Sequence, residues 1–322
     1  MDYVVAFIVG SISLATVFLL GSVGEIITEK AGQLNLGIPG IMCAGTAGGC
    51  MGVDIYMRMF SANPMWVFLV LFSLIFAVVF AAAVGMIYGF LTISLHCNQN
   101  ITGLAVTTFG VGFTQFVMDN FVDRAHFFDA SDIIKSSLPF WESLGWFGEI
   151  FLSHGVLVYL AIAIAIAAWW VIKKTKVGLH LRAVGENPAT ADAAGINVNK
   201  YKYLAVAIGS GIAGIGGYFY IMDYIGGSWE NAMTIEALGW LSVALVIFTI
   251  WRPNLSIIGS IVFAGLYTLA YRLTGTGFVI TNLLKLLPYV ITILVLIITS
   301  IVGSKNIQPP ASLGLNYFRE ER

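Results

Sequence analysis

The residues that could do chemistry here are amides, hydroxyls and ring faces set among apolar stretches, and that pattern suits binding better than bond-making. Asn35-Leu-Gly-Ile-Pro-Gly-Ile41 and Asn98-Gln-Asn-Ile-Thr-Gly-Leu104 each place polar residues and glycine inside otherwise apolar surroundings. In a membrane protein such breaks free backbone groups that must line a cavity or be buried in protein, and transporters put substrate sites there. His96, His126, His154 and His180 are scattered and offer no ligand pair. Cys43, Cys50 and Cys97 form no CxxC and lie in or beside apolar segments, so they read as packing residues, with no disulfide framework and no zinc site. No Ser-His-Asp or GxSxG arrangement occurs, so no catalytic residue and no metal is expected. No GxxxxGK[ST] motif occurs either, so the chain has no P-loop of its own. Gly209-Ser-Gly-Ile-Ala-Gly214 matches GxGxxG, but it lies within an apolar stretch rather than after a strand. Gly209, Ala213 and Gly217 read instead as a ridge of small residues for helix contact in lipid.

The elements that must position these residues follow from composition. Of 322 residues, 58% are hydrophobic and 10% are charged, too apolar for one globular core and suited to lipid as solvent. The net charge of −1 gives no reason to expect nucleic acid as a partner. The N-terminal apolar stretch lacks a basic flank and a small-residue cleavage site, and reads as a retained first helix. Spans are expected over roughly 4–23, 37–53, 66–95, 101–118, 150–172, 201–222, 235–250, 254–271 and 283–301. The third is too long for one straight crossing, and a break near Gly85 and Gly89 would raise the count from nine to ten. The fold expected is all-α: a polytopic transmembrane helix bundle of 9–10 spans, forming one domain over residues 1–322.

Basic residues set the orientation. Lys173, Lys174, Lys176, Arg182, Lys200 and Lys202 crowd the loop at about 173–200, which should be cytoplasmic. Counting outward puts Arg252 and the tail with Lys305, Arg319 and Arg322 on the same side, and the acid-rich loop from Asp119 to Glu149 on the other. Nine spans then place the N-terminus outside. Asp223, Glu230, Glu236, Arg252, Arg272 and Lys285 fall near span ends, where water can solvate them. The apparent lack of a mid-span carboxylate or histidine counts against an ion-coupled secondary transporter, the competing reading.

Within the basic loop, residues 178–196 spell a short helix with explicit ends: Asn187 as N-cap, Pro188 at the first helical position, Gly195 as the left-handed residue after the end. Two turns are not stable alone in water. The helix therefore needs a surface, either its own membrane domain or a cytoplasmic partner.

Three segments carry a family resemblance. Residues 24–42, Gly-Glu-Ile-Ile-Thr-Glu-Lys-Ala-Gly-Gln-Leu-Asn-Leu-Gly-Ile-Pro-Gly-Ile-Met, resemble the "GE…ERaGvlNlGieGmM" signature of bacterial ABC importer permeases of the simple sugar and nucleoside branch. Residues 178–196 resemble its "GlrlRAVGeNPxAAxxAGI" motif, and residues 239–253 its "GFxxIAVALLGxWxP" segment. Pro39, Trp240 and the Phe248-Thr249-Ile250 run depart from the pattern. The resemblance implies a permease of the bacterial inner membrane, multi-pass, with its C-terminus cytoplasmic. It implies a second permease as partner in a heterodimer, ABC ATPase subunits docking on a cytoplasmic coupling helix, and an external binding lipoprotein. The chain itself would be no enzyme and hold no cofactor, ATP being used by the partner ATPases. The implied substrates are nucleosides, purine nucleosides first, with riboflavin and then a sugar such as ribose or galactose as alternatives. Such ligands call for amides, hydroxyls and ring faces. The pathway candidates are Asn35, Asn98, Gln99, Asn100, Thr107, Thr108, Gln115 and Trp240, though packing and capping use the same residue types. The docking candidates are Arg182, Glu186, Asn187, Pro188, Asp192 and Gly195.

Overall fold

A computed structural model describes residues 2–60, 63–136, 141–272, 280, 283–284, 286–302 and 308–318. Lys285, Lys305, Arg319 and Arg322, used above to reason about span ends and orientation, lie outside the described residues.

Among the described residues the chain is helical and carries no strand. Six helices are long and apolar enough to cross a membrane: α1 (Asp2–Glu29), α2 (Ile38–Phe60), α3 (Trp66–Gly89), α4 (Gln99–Asn120), α7 (Val156–Lys174) and α10 (Val198–Phe219). Three shorter apolar helices follow: α11 (Ala232–Phe248), α12 (Pro253–Arg272) and α13 (Leu287–Val302). Among the described residues four small α-helices lie between these. Two, α5 (Phe127–Ile134) and α6 (Gly145–Leu152), join α4 to α7, and two, α8 (Lys176–Glu186) and α9 (Pro188–Ala193), join α7 to α10. Of the nine expected segments, six coincide with these long helices and three with the shorter apolar ones, so six spans rather than nine or ten meet the length and apolarity of a crossing among the described residues. The chain is a multi-pass membrane protein.

The third span does not break at Gly85. Helix α3 runs on to Gly89 and ends in a π-helical turn, Phe90–Ser94, in which Leu95 N–H donates to Phe90 O at 3.1 Å. Helix α10 ends the same way, in Tyr220–Tyr224, with Ile225 N–H donating to Tyr220 O at 3.0 Å. Both long spans shed length by widening their last turn rather than by kinking at glycine.

Helices α1, α2, α3 and α10 form the centre, with α4, α7, α11 and α12 packed around it. Small residues let these backbones meet. A Cβ added at Gly209 on α10 would stand 2.4 Å from Gly24 O on α1, and one at Gly217 2.2 Å from Met42 O on α2. The ridge read as helix contact is therefore helix contact, shared between two neighbours. Gly40 of α2 and Gly110 of α4 approach as closely, a Cβ at Gly110 meeting Gly40 O at 2.2 Å.

Basic residues gather at one end: Arg182 and Arg252 act on Lys30 electrostatically where α1 finishes and α8 begins. The acid-rich segment from Asp119 to Glu149 lies at the opposite end, beyond the last residue of α4. Several charges near span ends are buried rather than solvated: Glu25 at 0%, Asp54 at 2%, Glu29 and Lys202 at 3% and Asp223 at 6% exposure. The reason is packing. Asp223 lies against Gly155, where a Cβ would stand 2.4 Å from its Oδ2, and Asp54 accepts from Arg58 Nε at 2.7 Å.

Replacing Gly209 by Val should force α10 away from α1, since the obstacle is backbone, and cost about 1–3 kcal/mol. A lowered thermal midpoint of the detergent-solubilised protein would show it. An unchanged midpoint would mean that the two helices do not meet as closely as described.

Candidate substrate cavity and docking face

The two polar breaks meet at the start of α2 and α4. Leu34 N–H donates to Gln99 Oε1 at 2.7 Å, Thr107 Oγ1 donates to Leu36 O at 2.8 Å, and Tyr88 OH donates to Leu34 O at 2.7 Å. Asn35 Oδ1 accepts from Gly37 N–H at 3.0 Å, and its own N–H donates to Glu25 Oε1 at 3.0 Å. Asn35, Gln99 and Thr107 are thus buried in a joint that satisfies the irregular backbone between α1 and α2. Asn35 Nδ2 has no hydrogen-bond partner in that joint. Asn98 caps α4 by accepting from Ile101 N–H at 3.1 Å, and Asn100 beside it is exposed. Thr108 lies on the exposed face of α4, two turns from Gln115. Gln115 accepts from Ala232 N–H at 3.3 Å and donates to Asp119 Oδ2 at 2.6 Å. Trp240, half-buried on α11, donates to Glu236 at 3.4 Å. The structure therefore joins Asn35, Gln99 and Thr107 in one place, puts Thr108 and Gln115 on one stripe of α4, and leaves Trp240 apart on α11. None of the eight lines the cavities described below.

A cavity of about 450 Å³ opens instead between α1, the π turn of α10, α11 and α12, at the end away from α8 and α9. Its wall holds Phe7, Tyr220, Tyr224 and Tyr267, with Glu230, Thr234 and Thr268 supplying polar atoms. The wide turn positions two of these rings: Tyr220 and Tyr224 stack with centroids 5.6 Å apart and 25° between planes. Tyr267 is braced edge-on by Phe18 at 6.3 Å. Thr268 Oγ1 lies 3.3 Å from Ser11 Oγ on α1. Ring faces with a few hydroxyls and one carboxylate suit a planar, hydroxylated ligand. The sequence carried a weak signal of this, a Tyr-x-x-x-Tyr pair at the end of a span. Interfacial aromatic belts give the same pattern, which hides it.

At the other end, α9 has the ends its sequence predicts. Asn187 Oδ1 accepts from Thr190 N–H at 3.0 Å and Pro188 opens the helix. Gly195, at φ +81°, closes it with Gly195 N–H to Asp192 O at 2.9 Å and Ile196 N–H to Ala191 O at 3.0 Å. This is the paired Schellman bonding that favours glycine. One face rests on its own domain, where Ala191 is buried with Val184 and Val198. The other face, with Thr190, Ala193, Ala194 and Gly195, is exposed, as are Arg182, Glu186 and Asn187.

The tail at 308–318 straps across this end, which sequence reasoning missed. Ser312 N–H donates to Gly185 O at 3.0 Å, Tyr317 OH donates to Asp192 Oδ2 at 2.9 Å, and Asn316 Nδ2 donates to His96 O at 2.6 Å. Asp192, read as a docking residue, is thus tied to the tail beside a cavity of about 640 Å³.

A family model described as "Branched-chain amino acid transport system / permease component" matches residues 7–296. The chain is 33% identical over 278 residues to the putative glucose ABC transporter permease protein TsgC13 of Haloferax volcanii, covering 84% of this chain and 79% of that one. It is 29% identical over 312 residues to the nucleoside ABC transporter permease protein NupC of Lactococcus lactis, covering 95% of each. It is also 23% identical over 269 residues to NupB, a nucleoside ABC transporter permease protein of the same organism, covering 80% of this chain and 71% of that one.

Asn187→Ala should remove one cap bond and cost about 1 kcal/mol locally. Amide exchange at Thr190 should then quicken several-fold with the membrane helices unchanged. Equal exchange rates in both proteins would deny the cap its role.

Proposed function

The chain belongs to the branched-chain amino acid transport system permease family, and from that membership we propose that it is one permease subunit of an ATP-binding-cassette importer for purine nucleosides. The observation that carries the substrate is the aromatic cavity: stacked Tyr220 and Tyr224 with Tyr267 offer faces to a base, and Thr234, Thr268 and Glu230 offer partners to a ribose. The full-length likeness to NupC supports the same reading.

A simple sugar is the second reading, favoured by the likeness to TsgC13. A sugar ring needs several hydroxyl partners and fewer ring faces, so the balance of this wall favours the nucleoside. Riboflavin, a larger aromatic heterocycle with a hydroxylated chain, has no comparable support among these relatives.

The basic end faces the cytoplasm by the positive-inside rule, which places the tail inside and the aromatic cavity on the outer side of a bacterial inner membrane. An external binding lipoprotein delivers ligand to that side. ATPase subunits dock on the exposed face of α9 around Arg182, Glu186, Asn187, Pro188 and Gly195 and supply all ATP hydrolysis. A second permease completes the complex, in keeping with the likeness of this one chain to both NupC and NupB. Thr108 and the exposed apolar residues Ile101, Leu104, Phe109 and Phe116 give α4 a face for it.

In the reconstituted complex with its binding protein, purine nucleosides should stimulate ATP hydrolysis, and Tyr224→Ala should raise the half-maximal concentration about tenfold, roughly the loss of one stacked ring. Tyr224→Phe should stay near wild type. Stimulation by glucose or ribose but no nucleoside would replace the nucleoside by the sugar. Separately, Gly195→Val forces a branched residue to φ +81° and should lower co-purification of the ATPase. Full co-purification and full transport would remove the docking assignment.

A further inference from the structure

A second kind of site lies at the docking end, on the side of the bundle formed by α7 and α12. A cavity of about 370 Å³ is lined by Lys30, Lys173, Arg182 and Arg252, together with Trp169, Ile172, Trp251, Pro253 and Asn254. Four cations from four separate elements converge there: the end of α1, the last turn of α7, α8, and the turn between α11 and α12. The acids that act on Lys30 are Glu186 and Glu29. Glu29 already accepts from the Trp251 indole N–H, and Glu186 accepts from Ala311 N–H at 3.3 Å. Burial lowers the Lys30 amine below its ordinary value, Glu186 and Glu29 oppose this, and the Arg182 and Arg252 charges add to it.

The cavity does not stand alone. Helices α7 and α12 pack together, and a small, mostly apolar recess of about 30 Å³ marks their seam, lined by Val158 and Ile162 of α7, Ile257 and Ile261 of α12, and Ile12 and Leu19 of α1. Trp169 and Ile172 line the cavity beside the cations, with Lys173 Nζ 5.7 Å from the Trp169 ring centre. A cationic cavity beside an apolar helix seam is the complement of one anionic phospholipid. Tryptophan at that level is the usual membrane-interface residue.

We propose that this cavity and seam bind a single anionic phospholipid, its phosphate among Lys30, Lys173, Arg182 and Arg252 and one acyl chain along the α7–α12 seam. A free phosphate could satisfy the same cations but would leave the seam unused. The cavity also borders α8, through Arg182, so the lipid would brace the segment that leads into α9.

The test is native mass spectrometry of the assembled transporter offered equimolar phosphatidylglycerol and phosphatidylcholine. Wild type should retain phosphatidylglycerol preferentially, about tenfold, and keep it in the presence of millimolar inorganic phosphate. Lys173→Gln and Arg252→Gln should each abolish the preference, while Lys200→Gln, an exposed cation at the start of α10, should not. Lys173 is exposed at a helix end, so its replacement leaves folding intact and keeps the test readable. Equal retention of the two lipids, or a preference unchanged in Lys173→Gln, would overturn the proposal. Displacement by inorganic phosphate would reassign the site to a soluble anion. Loss of ATPase subunits from Lys173→Gln with lipid retention unchanged would overturn the proposal and mean that Lys173 meets the ATPase instead.

Discussion

Two carboxylates buried at the end of α1 hold the α8–α9 end of the bundle together. Glu25 accepts the Asn35 N–H and Glu29 accepts the Trp251 indole N–H, both essentially out of contact with solvent. A carboxylate in such a place is costly unless its bonds are made, so the partners are fixed as firmly as the acids. Through them α1 pins the loop that leads into α2 and the turn that joins α11 to α12. In that turn Ile250 and Trp251 take φ of +54° and +52°, uncommon for any non-glycine residue and strained for a branched one. The Glu29–Trp251 bond helps hold this turn. The Gly-Glu…Thr-Glu-Lys…Asn-Leu-Gly signature and the Trp of the later segment, which read as separate motifs, are two sides of one buried contact.

The same need to satisfy polar groups away from water explains what became of the polar breaks. The backbone at 34–37 is neither helical nor open to water, and Gln99, Thr107, Tyr88 and the side chain of Asn35 take its groups one by one. A membrane interior tolerates irregular backbone only where protein or a cavity serves it, and here protein serves it. Residues that could have recognised a ligand are committed to the fold in this conformation. Ring faces and open volume come together instead at the opposite end, in the cavity walled by Tyr220, Tyr224 and Tyr267.

What could be read from the sequence was local. The cap, the proline and the glycine of α9 lie within nine residues, and each acts on its immediate neighbours. The apolar runs set the spans, because ~20 residues of helix match the bilayer core. What could not be read depended on partners far along the chain. Tyr317 meets Asp192 across 125 positions and Asn316 meets His96 across 220, so nothing near either residue announces the tail strap. The aromatic cavity draws on helices from both ends of the sequence, and only their packing brings Phe7 to the same wall as Tyr267. The burial of Asp223 is of the same kind, set by Gly155 on a neighbouring segment.

The link between the two ends is short in covalent terms. Helix α9 is followed by α10 after four residues, and the helical rod Val198–Tyr224, 27 residues or about 40 Å, runs without a break from beside α9 to the stacked tyrosines. Its small residues lock it against α1 through Gly24 and against α2 through Met42, so the rod cannot tilt without those helices. Helix α11 returns the connection: Thr234 and Leu238 face the cavity, and its far end enters the turn held by Glu29. A displacement of α9 therefore reaches the cavity wall through packed backbone rather than through side chains that could absorb it. Glycine at the crossings provides that stiffness by removing compliant side chains from the contact.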